Sequence, residues 1–161
     1  MRSPRIIVTG ASGFLGQALL NCLAKEDVDV FGISRGHHPG LIHVKTYEDT
    51  PPGDILIHLA ETSDRNIANQ EGQNYEKKAI HIIKNLQKKG FSRIIYASSA
   101  VLYGDDELTP RRVGDPVVCN DTYSRLKLNC EKRVLLEGGA VARFSNIYGP
   151  KMSKKNVVGD I

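Results

Sequence analysis

The sequence predicts a doubly wound α/β domain, a parallel sheet with helices on both faces. Three observations carry that expectation. Short β-branched runs alternate with helical stretches along the chain, the pattern of consecutive βαβ units. One run, Asp54 to Ala60, is apolar at nearly every position, as a strand covered on both faces must be. The first strand also gives way at once to a glycine-rich turn, Gly10 to Gly16, that opens the first helix.

The elements follow in order. Arg5 to Thr9 is a β-branched strand ending at Gly10. Phe14 to Lys25 sets Leu15, Leu19, Cys22 and Leu23 at helical spacing, so these four are expected in the core. Val28 to Ser34 is the second strand, Leu41 to Val44 a short third, and Asp54 to Ala60 the fourth after the turn Pro51-Pro52-Gly53. Asn66 to Lys89 reads as one helix, with Tyr75, Ala79, Ile82, Ile83 and Leu86 as its stripe and Gly90 as its stop. Arg93 to Ala97 is the fifth strand, Thr122 to Glu137 a helix with Leu126, Cys130 and Val134 on one side, and Ala140 to Phe144 the sixth strand.

Composition narrows the function classes. The 161 residues, 40% hydrophobic and 25% charged, make one soluble domain large enough to bury a core without staples. The net charge of +4 is spread along the chain. Lys77-Lys78, Lys88-Lys89 and Lys154-Lys155 read as solvated surface, so no nucleic-acid partner is expected. Three cysteines without a close pair fit a reducing compartment. No apolar run reaches membrane-spanning length, and Thr9 to Gly13 interrupts any leader-like stretch. A cytoplasmic protein that does not engage a membrane is expected. His37, His38 and His43 lack ligand spacing, so no metal is expected. His58 reads as a satisfied core or cofactor-side histidine rather than a base, His81 as helix surface and Asp105-Asp106-Glu107 as a solvated loop.

The turn Gly10-Ala11-Ser12-Gly13-Phe14-Leu15-Gly16 has the physics of dinucleotide binding. Gly10 allows a tight exit from the strand, Gly13 lets a pyrophosphate approach the backbone, and Gly16 lets the helix lie close on the sheet. The free N–H groups at the helix start, with its dipole behind them, hold the anion. The end of the second strand bears on the cofactor. A site for NAD usually places an acid there for the ribose 2′-hydroxyl. Here Ile33-Ser34-Arg35-Gly36 carries none, and Arg35 suits a 2′-phosphate. The expectation therefore leans to NADP over NAD, with Ser34 and Arg35 at that end.

Tyr123 and Lys127 lie four apart on one helical face. A free phenol is a poor acid or base at neutral pH. An ammonium about 4 Å away, at an effective dielectric of about 20, is worth about 4 kcal/mol, roughly three pKa units. That brings Tyr123 toward about 7, where it can exchange a proton with a hydroxyl or carbonyl. Ser99, after the fifth strand, is placed where parallel strands meet a ligand crevice.

With these motifs in hand, the chain resembles the extended branch of the short-chain dehydrogenase/reductase superfamily, the nucleotide-sugar-modifying NAD-dependent epimerase/dehydratase family. The resemblance rests on the Gly10–Gly16 turn, His58-Leu59-Ala60, Ser98 to Gly104, Tyr123-Ser124-Arg125-Leu126-Lys127 and Arg143 to Pro150. It implies a Rossmann-like fold, with Tyr123 as acid/base, Ser99 orienting the reacting oxygen, and Lys127 binding the nicotinamide ribose and tuning Tyr123. It further implies that Leu59, Ala60 and Asn74 contact the cofactor, alongside Phe14 and Leu15 of the turn, and that Asn146 faces the sugar nucleotide. A homodimer through the 66–89 and 122–137 helices is also implied. Dehydratases of the family carry an Asp-Glu pair where Ala100 and Val101 stand here, which leaves an epimerase or a ketosugar reductase.

The expected function is hydride transfer between NADP(H) or NAD(H) and a sugar hydroxyl or ketone of a nucleotide sugar. The alternative is a non-catalytic dinucleotide-binding module or subunit. Cys119, before the Tyr123 helix, is a minor candidate for a second acid/base. The family usually continues well beyond Pro150. Residues 1–150 are read as the dinucleotide-binding domain and 151–161 as the start of a missing substrate-binding region, so the chain is expected to be truncated and inactive by itself.

Overall fold

The computed structural model describes residues 2–62, 64–104 and 109–149. Asp105-Asp106-Glu107 and residues 150–161 lie outside them. Six strands form one sheet in the order β3-β2-β1-β4-β5-β6: β1 Arg5–Thr9, β2 Asp29–Ser34, β3 Ile42–His43, β4 Ile55–His58, β5 Arg93–Ser99 and β6 Ala140–Phe144. Every pairing is parallel, so each connection crosses over a face. The four helices are α1 Phe14–Leu23, α2 Arg65–Glu71, α3 Gln73–Gln87 and α4 Thr122–Leu136. This is the doubly wound, Rossmann-like architecture expected.

β1 shows why the strands are apolar on both sides. Ile6 and Val8 join a cluster with Leu19, Leu20 and Leu23 of α1. Ile7 points the other way, into the larger cluster with Ile83 and Leu86 of α3 and Leu126, Cys130 and Val134 of α4. Alternation along a strand sends neighbours to opposite faces, and both faces here are covered.

Three expectations are corrected. The single helix over 66–89 is two helices, because Gly72 adopts φ 59°, ψ −138°, a conformation essentially restricted to glycine. Gly72 is both the C-cap of α2 and the N-cap of α3. Cys22, expected in the core, is exposed, since α1 turns Leu19, Leu20 and Leu23 to the sheet instead. The short third strand shrinks to two edge residues, and β5 runs on to Ser99. The stripe of α3 is as expected: Ala79, Ile83 and Leu86 are buried, with Tyr75 and Ile82 packed on the same cluster. Cys130 is buried, as read.

Candidate active site

The strand order reverses between β1 and β4, and a crevice opens beyond their carboxyl ends, where open α/β sheets bind ligands. Gly10 leaves β1 at φ +71°, and a Cβ there would stand 2.9 Å from the Leu59 backbone. A Cβ on Gly16 would fall 2.4 Å from the Gly10 carbonyl oxygen, and one on Gly13 3.2 Å from it. The three glycines therefore bring strand, turn and helix into backbone contact. Gly13 is the N-cap of α1 and has no side-chain cap, and the first turn carries no acid. These free N–H groups suit a phosphate. Ser34 ties the turn to β2: its hydroxyl lies 3.0 Å from that of Ser12 and accepts from the Gly36 N–H at 3.1 Å.

A cavity of about 570 Å³ lies here, lined by Gly10, Ser12, Gly13, Arg35, Tyr47 and the run His58 to Thr62, with Ile67, Glu71, Tyr75, Lys78, Ala79 and Ile82 opposite. Of the residues expected at the cofactor, Gly10, Gly13, Arg35, Leu59 and Ala60 line it. The Arg35 guanidinium sits 5.2 Å above the Tyr47 ring centre. Gly16 and Ser34 shape the turn from behind. Phe14 and Leu15 start α1 outside the lining, and Asn74 is exposed near the start of α3. Asn146 is exposed beyond β6. Gly149, in the same segment, comes so near the turn that a Cβ on it would lie 3.2 Å from the Phe14 ring.

Tyr123 and Lys127 face the same side of α4, both buried, with the Lys127 ammonium 5.7 Å from the Tyr123 ring centre. The ammonium is not isolated. It donates to Glu61 Oε2 at 2.7 Å and to the Ala97 carbonyl at 3.0 Å. Tyr96 also donates to Glu61 Oε2, at 2.6 Å. Both side chains of the ion pair are 6% exposed. Burial pushes the Glu61 carboxyl up, but the Lys127 charge and the hydrogen bonds donated by Lys127 and Tyr96 outweigh it, leaving it below its ordinary value. Burial likewise pulls Lys127 down, and Glu61 raises it above the usual lysine range. The two directions agree on a charged pair. The positive charge assigned to Tyr123 on sequence grounds is thus shared with a carboxylate in direct contact, and Tyr123 faces a dipole rather than a lone cation.

His58 closes the network. Its Nδ1 lies 2.7 Å from Thr9 Oγ1, and burial, with Glu61 opposing, lowers its pKa to about 4. It is the satisfied histidine expected. Ser99 ends β5 and caps the following turn, its hydroxyl accepting from the Val101 N–H at 3.3 Å. The Cys119 thiol donates to the Ser124 carbonyl at 3.7 Å and does not line the cavity.

Sequence reasoning missed Glu61 and the clasp at the start of α4. There Asp121 forms a capping box with Ser124 and also receives Arg65 and Asn69 of α2. Asn69 Oδ1 accepts the Tyr123 N–H at 3.0 Å. Burial opposes the Asp121 charge, but the bonds from Ser124, Arg65 and Asn69 hold its carboxyl well below the usual range. An Asp three residues before a Ser is a readable cap signal. Glu61 was visible as a carboxylate set directly on an apolar strand end, where a buried charge demands a partner.

Comparison with known proteins accords with this geometry. Residues 6–160 match the profile of the NAD dependent epimerase/dehydratase family. The chain is 25% identical over 147 residues to a UDP-glucose 4-epimerase of Halalkalibacterium halodurans, covering 79% of this chain and 44% of that protein. It is 25% identical over 155 residues to a probable dTDP-4,6-dihydroxy-2-methyloxan-3-one 4-ketoreductase of Streptomyces antibioticus, covering 90% and 52%. A UDP-N-acetylglucosamine 4-epimerase of Methanobrevibacter ruminantium, solved with UDP-N-acetylmuramic acid, superposes with a TM-score of 0.79 at 20% identity over 98% of this chain and 59% of that one, a likeness of fold. The chain spans about half the length of the curated relatives it matches.

Proposed function

The chain belongs to the NAD dependent epimerase/dehydratase family, and from that premise we propose that it seats a nicotinamide dinucleotide in the glycine-lined cavity and serves hydride transfer at a hydroxyl or ketone of a nucleotide sugar. The observation that carries this reading is the junction of Gly10, Gly13 and the β4 end around one cavity, with Lys127 joined to its wall through Glu61 and Tyr123 beside Lys127 on α4, these two and Ser99 standing outside the lining itself. The uncapped N-terminus of α1 fits the pyrophosphate, and Gly13 at its N-cap presents no side chain to it. Arg35 on the cavity wall, with no acid beside it, favours NADP over NAD.

The dinucleotide, when bound, supplies the hydride acceptor or donor. In the oxidising direction the Tyr123 oxygen takes the proton of the sugar hydroxyl; in the reducing direction it returns a proton to the carbonyl oxygen. Ser99, at the end of β5, holds the reacting oxygen by hydrogen bonding. Lys127 fixes the local field at Tyr123, and Asn146 meets the substrate. Ala100 and Val101 supply no further acid or base, which favours an epimerase or ketosugar reductase over a dehydratase. The relatives' names include both of those reactions. A homodimer through α3 and α4 belongs to the same reading.

A second reading, a dinucleotide-binding module without turnover, is favoured by the Glu61–Lys127 pair, which engages the ammonium that would otherwise act on Tyr123. Calorimetric titration with NADP and NAD tests what both readings share. Wild type is expected to bind, NADP more tightly. Gly13→Val, at an ordinary φ of −75° but with its Cβ 3.2 Å from the Gly10 carbonyl oxygen, is expected to lose binding at a small cost in thermal stability while its circular dichroism stays native. Failure of wild type to bind either dinucleotide sinks both readings. In a protein that also carries the substrate-binding region, sugar-nucleotide turnover that Tyr123→Phe abolishes without weakening dinucleotide binding decides for the enzyme, and unchanged turnover sinks that mechanism.

A further inference from the structure

Glu61 has a second oxygen that the ion pair does not use. Oε2 accepts from both Lys127 and Tyr96. Oε1 is fully buried and has no partner of hydrogen-bonding geometry among the described residues, the Cys130 thiol lying against the carboxylate without meeting it squarely, on a side chain 6% exposed that lines the cavity. An ionised carboxylate offers acceptors only, and leaving one buried oxygen unmet is costly. The cavity is therefore polarised along its length. The free N–H groups of α1 at the glycine turn call for an anion. The Glu61 end, with Oε2 already taken by Lys127 and Tyr96, calls for a donor at Oε1. A ligand with phosphate at one end and hydroxyls at the other meets both demands.

We propose that Glu61 is a specificity-determining residue of this cavity, accepting a hydrogen bond through Oε1 from a ring hydroxyl of the bound ligand. The inference rests on the dinucleotide and sugar-nucleotide reading above. The hydroxyl has two sources, the ribose of the dinucleotide or the pyranose of the sugar nucleotide. A phosphate or carboxylate group, which offers acceptors only, brings no donor to Oε1. The Lys127 ammonium, anchored to Oε2, fixes the carboxylate so that Oε1 keeps one direction.

The test compares ligands with and without the hydroxyl. NADP and UDP-glucose are titrated separately into wild type, Glu61→Gln and Glu61→Ala, each beside counterparts lacking one ring hydroxyl at a time. A hydrogen bond to a charged group predicts that wild type prefers one hydroxylated form by roughly tenfold or more. Glu61→Ala should erase that preference, and Glu61→Gln, which keeps shape without charge, should reduce it. Loss of the preference within the NADP set assigns the ribose, and loss within the UDP-glucose set assigns the sugar. A merely structural role would weaken both members of a pair alike and leave their ratio unchanged. A wild type that binds but shows no preference dependent on Glu61 overturns the proposal alone. A wild type that binds neither NADP nor UDP-glucose overturns the reading beneath it as well. Should Glu61→Ala not fold, the reduced ratio expected of Glu61→Gln carries the test, and an undiminished ratio there overturns the proposal.

Discussion

His58 shows how a single side chain sets a condition on the whole site. Buried against Thr9 and lowered to about 4, it is neutral in the folded protein at neutral pH. In the unfolded chain it takes a proton below about 6.5. Between those values the unfolded state binds more protons, so stability falls as pH falls through that window, by at most about 3 kcal/mol. Glu61, lowered as well, adds a loss of the same sign further down. His58→Gln is expected to flatten the fall in urea midpoint between pH 7 and pH 4.5. An unchanged fall would show that another group carries it. At this scale the sequence was readable where one residue's chemistry suffices: Gly10 and Gly16 can be named because only a residue without Cβ fits there. It was unreadable where a role depends on a distant partner. Lys127 could be chosen from its spacing to Tyr123, but the carboxylate it meets lies far away in sequence, and only the β4–β5–α4 arrangement brings them together.

At the scale of elements, the junction at Gly72 decides where α2 points. The apolar stripe begins only at Tyr75, and residues 69–74 are polar or glycine, so the pattern of hydrophobic residues does not decide between one helix and two. The signal is one glycine, and glycine within a helical stretch is tolerated often enough to be passed over. The consequence is concrete, because α2 carries Arg65 and Asn69 to the start of α4 beside Tyr123. Gly72→Ala meets no atom within 4 Å, so its cost is backbone strain alone, about 1–3 kcal/mol. Thermal unfolding is expected to show that loss, together with faster proteolysis within α2. A variant as stable as wild type would mean that the junction relaxes into a continuous helix. The strands, by contrast, were legible with little error, since β-branched runs between turns have few other readings in an alternating chain.

The molecule as a whole separates its three cysteines by environment. Cys130 sits in the larger core, and burial, with Glu61 nearby, raises its thiol pKa far above the ordinary value. Cys22 is exposed on α1. Cys119 is partly buried, its thiol raised by burial. Thiol labelling followed by peptide mapping is expected to modify Cys22 first, Cys119 more slowly, and Cys130 only after denaturation, because the thiolate is the reactive form. Early modification of Cys130 would contradict the packing of α4 on the sheet. Sequence periodicity assigned Cys22 to the core because α1 offers more apolar side chains than one face of the sheet can cover, and which of them faces outward is settled only when the helix docks. No helix among the described residues is long and apolar enough to cross a membrane.

The central place of β1 also bears on how the chain emerges from the ribosome. β1 is made first, yet its second neighbour, β4, pairs Thr9 with His58. At roughly 5–20 residues per second, that partner follows about 3–10 s later. Until then one hydrogen-bonding edge of Ile6, Ile7 and Val8 stays open, a sticky apolar ribbon in the nascent polypeptide. Cotranslational capture by holding chaperones should therefore centre on the interval between those two strands.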